Sequence, residues 1–152
     1  MEIRDGKEYI EEVKELIIEY LKYLNRDLSF QNVDEELKDP AKKYTTPEGE
    51  LLVAVNEKDQ VVGMVAYHRH NDERCEMKRL YVTPGARGKR IGEELVKQII
   101  EHGRKAGYKE MVLDSIEPLK AAVNLYHKYG FEDCEPYYDN PMDDVIYMRK
   151  KL

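Results

Sequence analysis

Residues 75–92 read CEMKRLYVTPGARGKRIG, and the succession of residue types in that stretch decides the fold. Positions 75–82 are a β-prone run that stops at Pro84 and Gly85, a turn-forming pair. Gly88 and Gly92 follow with the cations Arg87, Lys89 and Arg90, and from Ile91 the apolar residues switch to helical spacing. A strand, a glycine loop and a helix start in that order make an anion site. The first amides of a helix have no intrahelical acceptor, and the helix dipole adds partial positive charge there. Glycine lets the backbone approach a ligand closely, and the three cations raise the local potential. The corner predicts a phosphate-bearing ligand.

Outward from that corner the pattern is consistent. Ile91, Leu95, Val96, Ile99 and Ile100 form one stripe of a helix over 91–106, which Gly107 stops. Upstream, segments 51–55, 61–70 and 75–82 are separated by the polar turns 56–60 and 71–74, which predicts an antiparallel meander. Ile10, Val13, Ile17, Leu21 and Leu24 mark a first helix over 9–24, preceded by a short strand around 2–4. The stretch between them is polar, and Pro40, Pro47 and Gly49 leave room for one helical turn at 34–37. A connection that long in a small domain is often functional. Downstream come a buried strand at 110–114, a helix over 119–129 bounded by Pro118 and Gly130, and strands near 131–136 and 145–149. The fold class is α+β, in one domain spanning 1–152.

A chain of 152 residues with 41% hydrophobic and 37% charged residues suits one soluble domain with a sizeable core. The net charge of −6 argues against general nucleic-acid binding. Against it, 87–105 holds six cations (Arg87, Lys89, Arg90, Lys97, Arg104, Lys105) and three acids (Glu93, Glu94, Glu101). Cys75 and Cys134 form no disulfide or metal pattern and read as packing residues in a reducing compartment. No histidine has metal-ligand spacing, and His68, His70 and His102 read as surface residues. There is no membrane-spanning run and no signal-peptide character, so a cytoplasmic location is expected.

Two motifs at the right separation carry a resemblance. Arg87-Gly88-Lys89-Arg90-Ile91-Gly92 resembles the Q/R-x-x-G-x-G/A loop of the GNAT superfamily of N-acetyltransferases, departing at Arg90, where that pattern prefers glycine. Ala122-Val123-Asn124-Leu125-Tyr126-His127-Lys128-Tyr129-Gly130-Phe131 resembles the later A-x-x-L-Y-x-K-x-G-F helix. Segments 27–31 (DLSFQ), 76–82 (EMKRLYV) and 135–141 (EPYYDNP) look like a small prokaryotic subgroup of that superfamily. The resemblance implies a mixed, mostly antiparallel central sheet of about six to seven strands flanked by about four helices. It implies acetyl-CoA as cofactor, no metal, and a homodimer by analogy of fold.

Under that resemblance Leu80, Tyr81 and Val82 offer backbone groups to the pantetheine arm. Arg87, Gly88, Lys89, Arg90, Ile91, Gly92 and Glu93 hold the pyrophosphate, with Tyr126 and Lys128 also at the cofactor. Transfer to an amine needs a proton acceptor, an oxyanion donor and a proton for the departing thiolate. Tyr126 suits the last role, since a phenol of pKa about 10 stays protonated at neutral pH; the competing reading is a ring packed in the core. Asp114, at the end of the fifth strand, and Glu76, four residues before Leu80 and hence on its face, are candidate bases. Each competes with a plain ion pair to Lys78, Arg79 or another cation, and a route with no base stays open.

The acceptor site implied by the resemblance draws on 27–31, 44–47, 76–79 and 136–141. Phe30, Tyr44, Tyr137 and Tyr138 form an aromatic wall there, and Gln31, Arg79 and Asn140 supply polar contacts. Arg79 would favour an acceptor bearing a carboxylate, such as an amino acid. The expected reaction moves acetyl from acetyl-CoA to the primary amine of a small molecule. Acetylation of a protein N-terminus or lysine, and a non-catalytic coenzyme-A-binding module, stand as alternatives.

Overall fold

In the computed structural model, which describes residues 1–45 and 48–152, alternating apolar residues sort onto the two faces of one sheet. The strands are β1 (Glu2–Asp5), β2 (Gly49–Val55), β3 (Val61–Arg69), β4 (Arg74–Val82), β5 (Glu110–Ile116), β6 (Glu132–Asp133) and β7 (Val145–Lys151). They lie in the order β1-β2-β3-β4-β5-β7-β6, antiparallel throughout except for the parallel pair β4–β5. Among the described residues five α-helices join them: α1 (Ile10–Leu24), α2 (Val33–Lys38), α3 (Pro40–Lys43), α4 (Ile91–Lys105) and α5 (Lys120–Lys128).

On one face Leu52, Ala54, Val65, Tyr67, Cys75 and Met77 pack with Ile91, Leu95 and Ile99 of α4 and Tyr126 of α5. On the other, Leu51, Val53, Val55, Met64 and Ala66 pack with Val13, Leu16 and Ile17 of α1. A fully buried aliphatic side chain such as Leu95 or Ile17 contributes about 1.5–3 kcal/mol over leaving it in water.

The expected sheet and meander are present, with two differences. The stretch after α1 is more helical than its prolines suggested, because Pro40 occupies the first turn of α3, where a missing N–H costs nothing. The strand expected near 131–136 is only Glu132–Asp133; beyond it the chain leaves the sheet as a loop. Pro47, in the expected acceptor segment 44–47, lies outside the described residues.

Two irregularities in β4 position the site. Lys78 pairs with Ala66 and Tyr81 with Met64, so Arg79 and Leu80 together face Val65 in a β-bulge. Arg79 takes φ = 63°, the left-handed region that a non-glycine residue enters at a cost of about 1 kcal/mol. The extra residue inverts the alternation. Cys75 and Met77 face α4, whereas Tyr81, of the same parity, faces α1. Leu80 therefore packs on the α4 face while Glu76 points the other way, and the expectation that the two share a face is wrong.

The second irregularity is a parting of strands. β4 and β5 pair only at Arg74↔Glu110, Cys75↔Met111 and Glu76↔Val112. Among the described residues the β4 backbone has no strand partner on that side beyond Glu76, and a wedge opens through the sheet.

Candidate active site

Two hollows meet in the wedge. The outer one, a groove of about 480 Å³, runs between Leu80–Val82 of β4 and Ala121, Ala122 and Leu125 of α5, ending at Arg87 and Gly92. The inner one is a cavity of about 70 Å³ walled by β4, β5, α1 and α5. Tyr20, Leu80, Leu119 and Ala122 line both, so the groove leads into the cavity.

At the mouth of the groove the helix start is built as the residues dictate. Gly88 has φ = 80°, which turns the loop. Arg90 caps α4 in the left-handed conformation at φ = 61°, which explains why glycine suits that place. Glu94 N–H is the first of the helix to find a carbonyl, that of Arg90 at 3.1 Å, leaving the amides of Ile91, Gly92 and Glu93 for a ligand. Arg87 donates from Nε to the Val82 carbonyl at 3.0 Å and lies over the Tyr23 and Tyr81 rings, 4.7 and 5.6 Å from their centroids. The residues fit a diphosphate-bearing ligand.

Not every expected contact is made by a side chain. Lys89 and Arg90 line depressions beside Met1 on the other flank of the loop, so their charge acts at a distance. Lys128 and Tyr129 both hold the Glu93 carboxylate at 2.6 Å, tying the end of α5 to the start of α4. Ile91 is buried in the core, leaving its backbone N–H as its only polar contribution.

Tyr126 lies in the cavity wall, 7% exposed, its ring edge-on to Phe131 at 5.9 Å. Among the described residues nothing hydrogen-bonds its hydroxyl. Burial, with smaller contributions from Tyr20 and Asp114, pushes the phenol pKa up, so the proton is held. Asp114 shares the cavity; Tyr138 O–H donates to it, and Asn140 Nδ2 donates at 3.1 Å. It has no cationic partner among the described residues, so the ion-pair reading fails for it.

For Glu76 the ion-pair reading holds. It does not line the cavity. His68 Nε2 donates to it at 2.7 Å, Tyr137 O–H also donates, and Lys78 Nζ stands 3.9 Å away. Burial alone would raise its pKa, but these partners outweigh burial and hold it at about 2. Its oxygens are engaged by these partners and it stands outside the cavity lining, so it is not placed to take a proton from an acceptor there, which corrects its assignment as a base. His68, expected on the surface, is half-buried by this bond.

Glu36 on α2 behaves alike, burial being overcome by Arg79 to hold it at about 2. Both folded pKa values lie below the unfolded value of about 4.3, so the unfolded chain binds more protons between. The stability they supply is complete above that value and lost as pH falls toward 2. Melting temperatures measured from pH 5 to 2 should fall steeply, and Glu76→Gln should flatten that slope.

The acceptor residues divide. Gln31 lines the cavity, but Phe30 does not. Tyr44 is fully buried in the α1-side core and cannot meet a substrate. Tyr137, Tyr138 and Asn140 stand behind the cavity and orient Glu76 and Asp114, with Tyr147 edge-on to both tyrosine rings. Arg79 lines the cavity, but Nε and Nη2 grip both Glu36 oxygens at 2.8 and 3.1 Å, and Nη1 donates to Gln31 at 3.0 Å. Its charge is neutralised, and the expected carboxylate contact is corrected accordingly.

Sequence reasoning missed Lys78 as a cavity residue and the strap in which Arg26 grips both Asp144 oxygens at 2.8 Å. Alternation from Glu76 was a signal for Lys78. Nothing local marks Arg26, whose partner lies 118 positions away. Among the described residues no cluster could hold a metal ion, and no helix is long and apolar enough to cross a membrane.

The sequence model of the acetyltransferase (GNAT) family matches residues 11–131. An uncharacterised N-acetyltransferase of Schizosaccharomyces pombe is 47% identical over 144 residues, 94% of this chain and 88% of that protein. A GNAT-family acetyltransferase of Staphylococcus aureus superposes with a TM-score of 0.82 at 22% identity, over 99% of this chain and 98% of the other. A PaiA N-acetyltransferase of Thermoplasma acidophilum, solved in complex with coenzyme A, superposes with a TM-score of 0.74 at 18% identity, over 99% and 98%. The family model and the curated relative define the class of the chain, an acyltransferase that draws its acyl group from acetyl-CoA, and the fold agrees. The chain belongs to the GNAT family and is an acetyl-CoA-dependent N-acetyltransferase.

Proposed function

We propose that the enzyme acetylates the primary amine of a small molecule by direct transfer, with Asp114 as proton acceptor and Tyr126 at the departing sulfur. The observation that carries this reading is the junction of groove and cavity, where Tyr126 and Asp114 share one wall system. The coenzyme A bound to the Thermoplasma neighbour supports seating the cofactor along the groove, with the freed amides of α4 at its diphosphate. Acetyl-CoA supplies the acetyl thioester. An acceptor amine in the cavity passes its proton to Asp114, directly or through a water. The unpaired β4 amides beyond Glu76 offer donors to the carbonyl oxygen as it gains negative charge.

Tyr126 has a raised pKa, so it acts as a hydrogen-bond donor that stabilises the leaving sulfur. The proton the thiol finally holds can come from the acceptor's own nitrogen, which balances the reaction.

A protein acceptor needs a long open channel beside β4. Here Arg26, tied to Asp144, and Met142 beside it wall the small cavity, which favours a small acceptor. A panel of small amines and peptides, with thiol release as readout, tests the reading; turnover confined to peptides would refute it. Asp114→Asn should lower kcat/KM by roughly 100-fold at neutral pH. The deficit should shrink as pH rises toward the acceptor's own pKa, where solvent delivers the free amine.

A further inference from the structure

The last paired residues of β4 and β5 are Glu76 and Val112, and continuing that register by two places sets Lys78 opposite Asp114. Residues two apart share a face, so both side chains belong to the α1 side of the wedge, and both line the cavity. A cation on one wall thus faces an anion on the other across a gap, and no ion pair joins them among the described residues.

Lys78 is only 9% exposed at its side chain. Its ammonium has three donors, and its partners are the Gln31 amide oxygen at 3.4 Å and the Glu76 carboxylate at 3.9 Å. A buried ammonium this loosely held is costly unless a ligand completes its shell. Arg79, the neighbouring cation, is already committed to Glu36. With roughly 10–15 Å³ as the least volume that admits one water, a cavity of about 70 Å³ takes an acceptor of a few non-hydrogen atoms.

Resting on the small-amine reading above, we propose that the acceptor is a small amino acid, held by its carboxylate at Lys78 and Gln31 with its amine toward Asp114. The two charges of such a zwitterion match the two walls, and its amine then lies on the side shared by Asp114 and Tyr126. An amine without the carboxylate leaves Lys78 unsatisfied, so the pocket discriminates by what it fails to pair.

The test measures thiol release with small amino acids, their carboxamides and matched plain amines, compared per free amine. It uses the wild type, Lys78→Gln and Lys78→Arg, each with a thermal shift by acetyl-CoA to show that the protein is folded and binds cofactor. The wild type should prefer the acid over its amide by roughly 10- to 100-fold in kcat/KM, carried by KM. Lys78→Gln should bring that ratio close to one with its cofactor shift retained, and Lys78→Arg should keep most of it. Equal use of acid and amide by the wild type would overturn the proposal while leaving the small-amine reading intact, as would a preference that survives Lys78→Gln. Turnover of peptides alone would remove both.

Discussion

Tyr126→Phe is expected to lower kcat by roughly 10²–10³-fold with little change in KM for acetyl-CoA, because in the proposed mechanism the hydroxyl serves only the departing sulfur, as a hydrogen-bond donor. The ring stays: it fills the same space against Phe131, and among the described residues no hydrogen bond is lost with the oxygen. The melting temperature should therefore hold, which separates a chemical defect from a folding one. Thiol release over several acceptors, run beside a thermal melt, makes the measurement. Full turnover by the phenylalanine variant at neutral pH would show that Tyr126 is simply a core aromatic.

The largest effect on stability is expected at Arg79. Its side chain is 3% exposed and that of Glu36 is 1% exposed, and the two are joined by paired hydrogen bonds. Arg79→Met strands the Glu36 carboxylate, leaving Lys43 at 3.3 Å as its cationic partner among the described residues, and should cost about 3–5 kcal/mol. At about 2–4 °C per kcal/mol for a chain of this size, the melting temperature should drop by about 10 °C. Adding Glu36→Leu removes the orphaned charge and should recover most of the loss. A thermal melt of the single and double variants decides it; an unchanged single variant would mean that the pair contributes nothing.

Much of the fold was legible because it rests on neighbours in sequence. Strand alternation, helical stripes and glycine stops are written within windows of ten to twenty residues, and they placed β2, β3, β4, α1 and α4 within a residue or two. The turn into the start of α4 was legible for the same reason: Gly88 and Arg90 act through the backbone they themselves bend. The Leu-Tyr-x-Lys-x-Gly-Phe context likewise set Tyr126 on α5, facing the cavity.

The acceptor side was legible only in outline. Tyr44 looked like a free aromatic because the folding of α2 and α3 over it leaves no local mark. Arg79 looked like a ligand-binding cation because Glu36 stands 43 positions before it.

From the chain alone follow an α+β sheet, the glycine-bent start of α4 and the place of Tyr126 on α5, since each depends on residues close together along the backbone. Only the tertiary structure decided which charges remain available to a substrate. One bulged residue in β4 reverses which way its side chains point; Glu36 on α2 neutralises Arg79, while Lys78, held only loosely by Glu76 at 3.9 Å, faces Asp114 across the cavity.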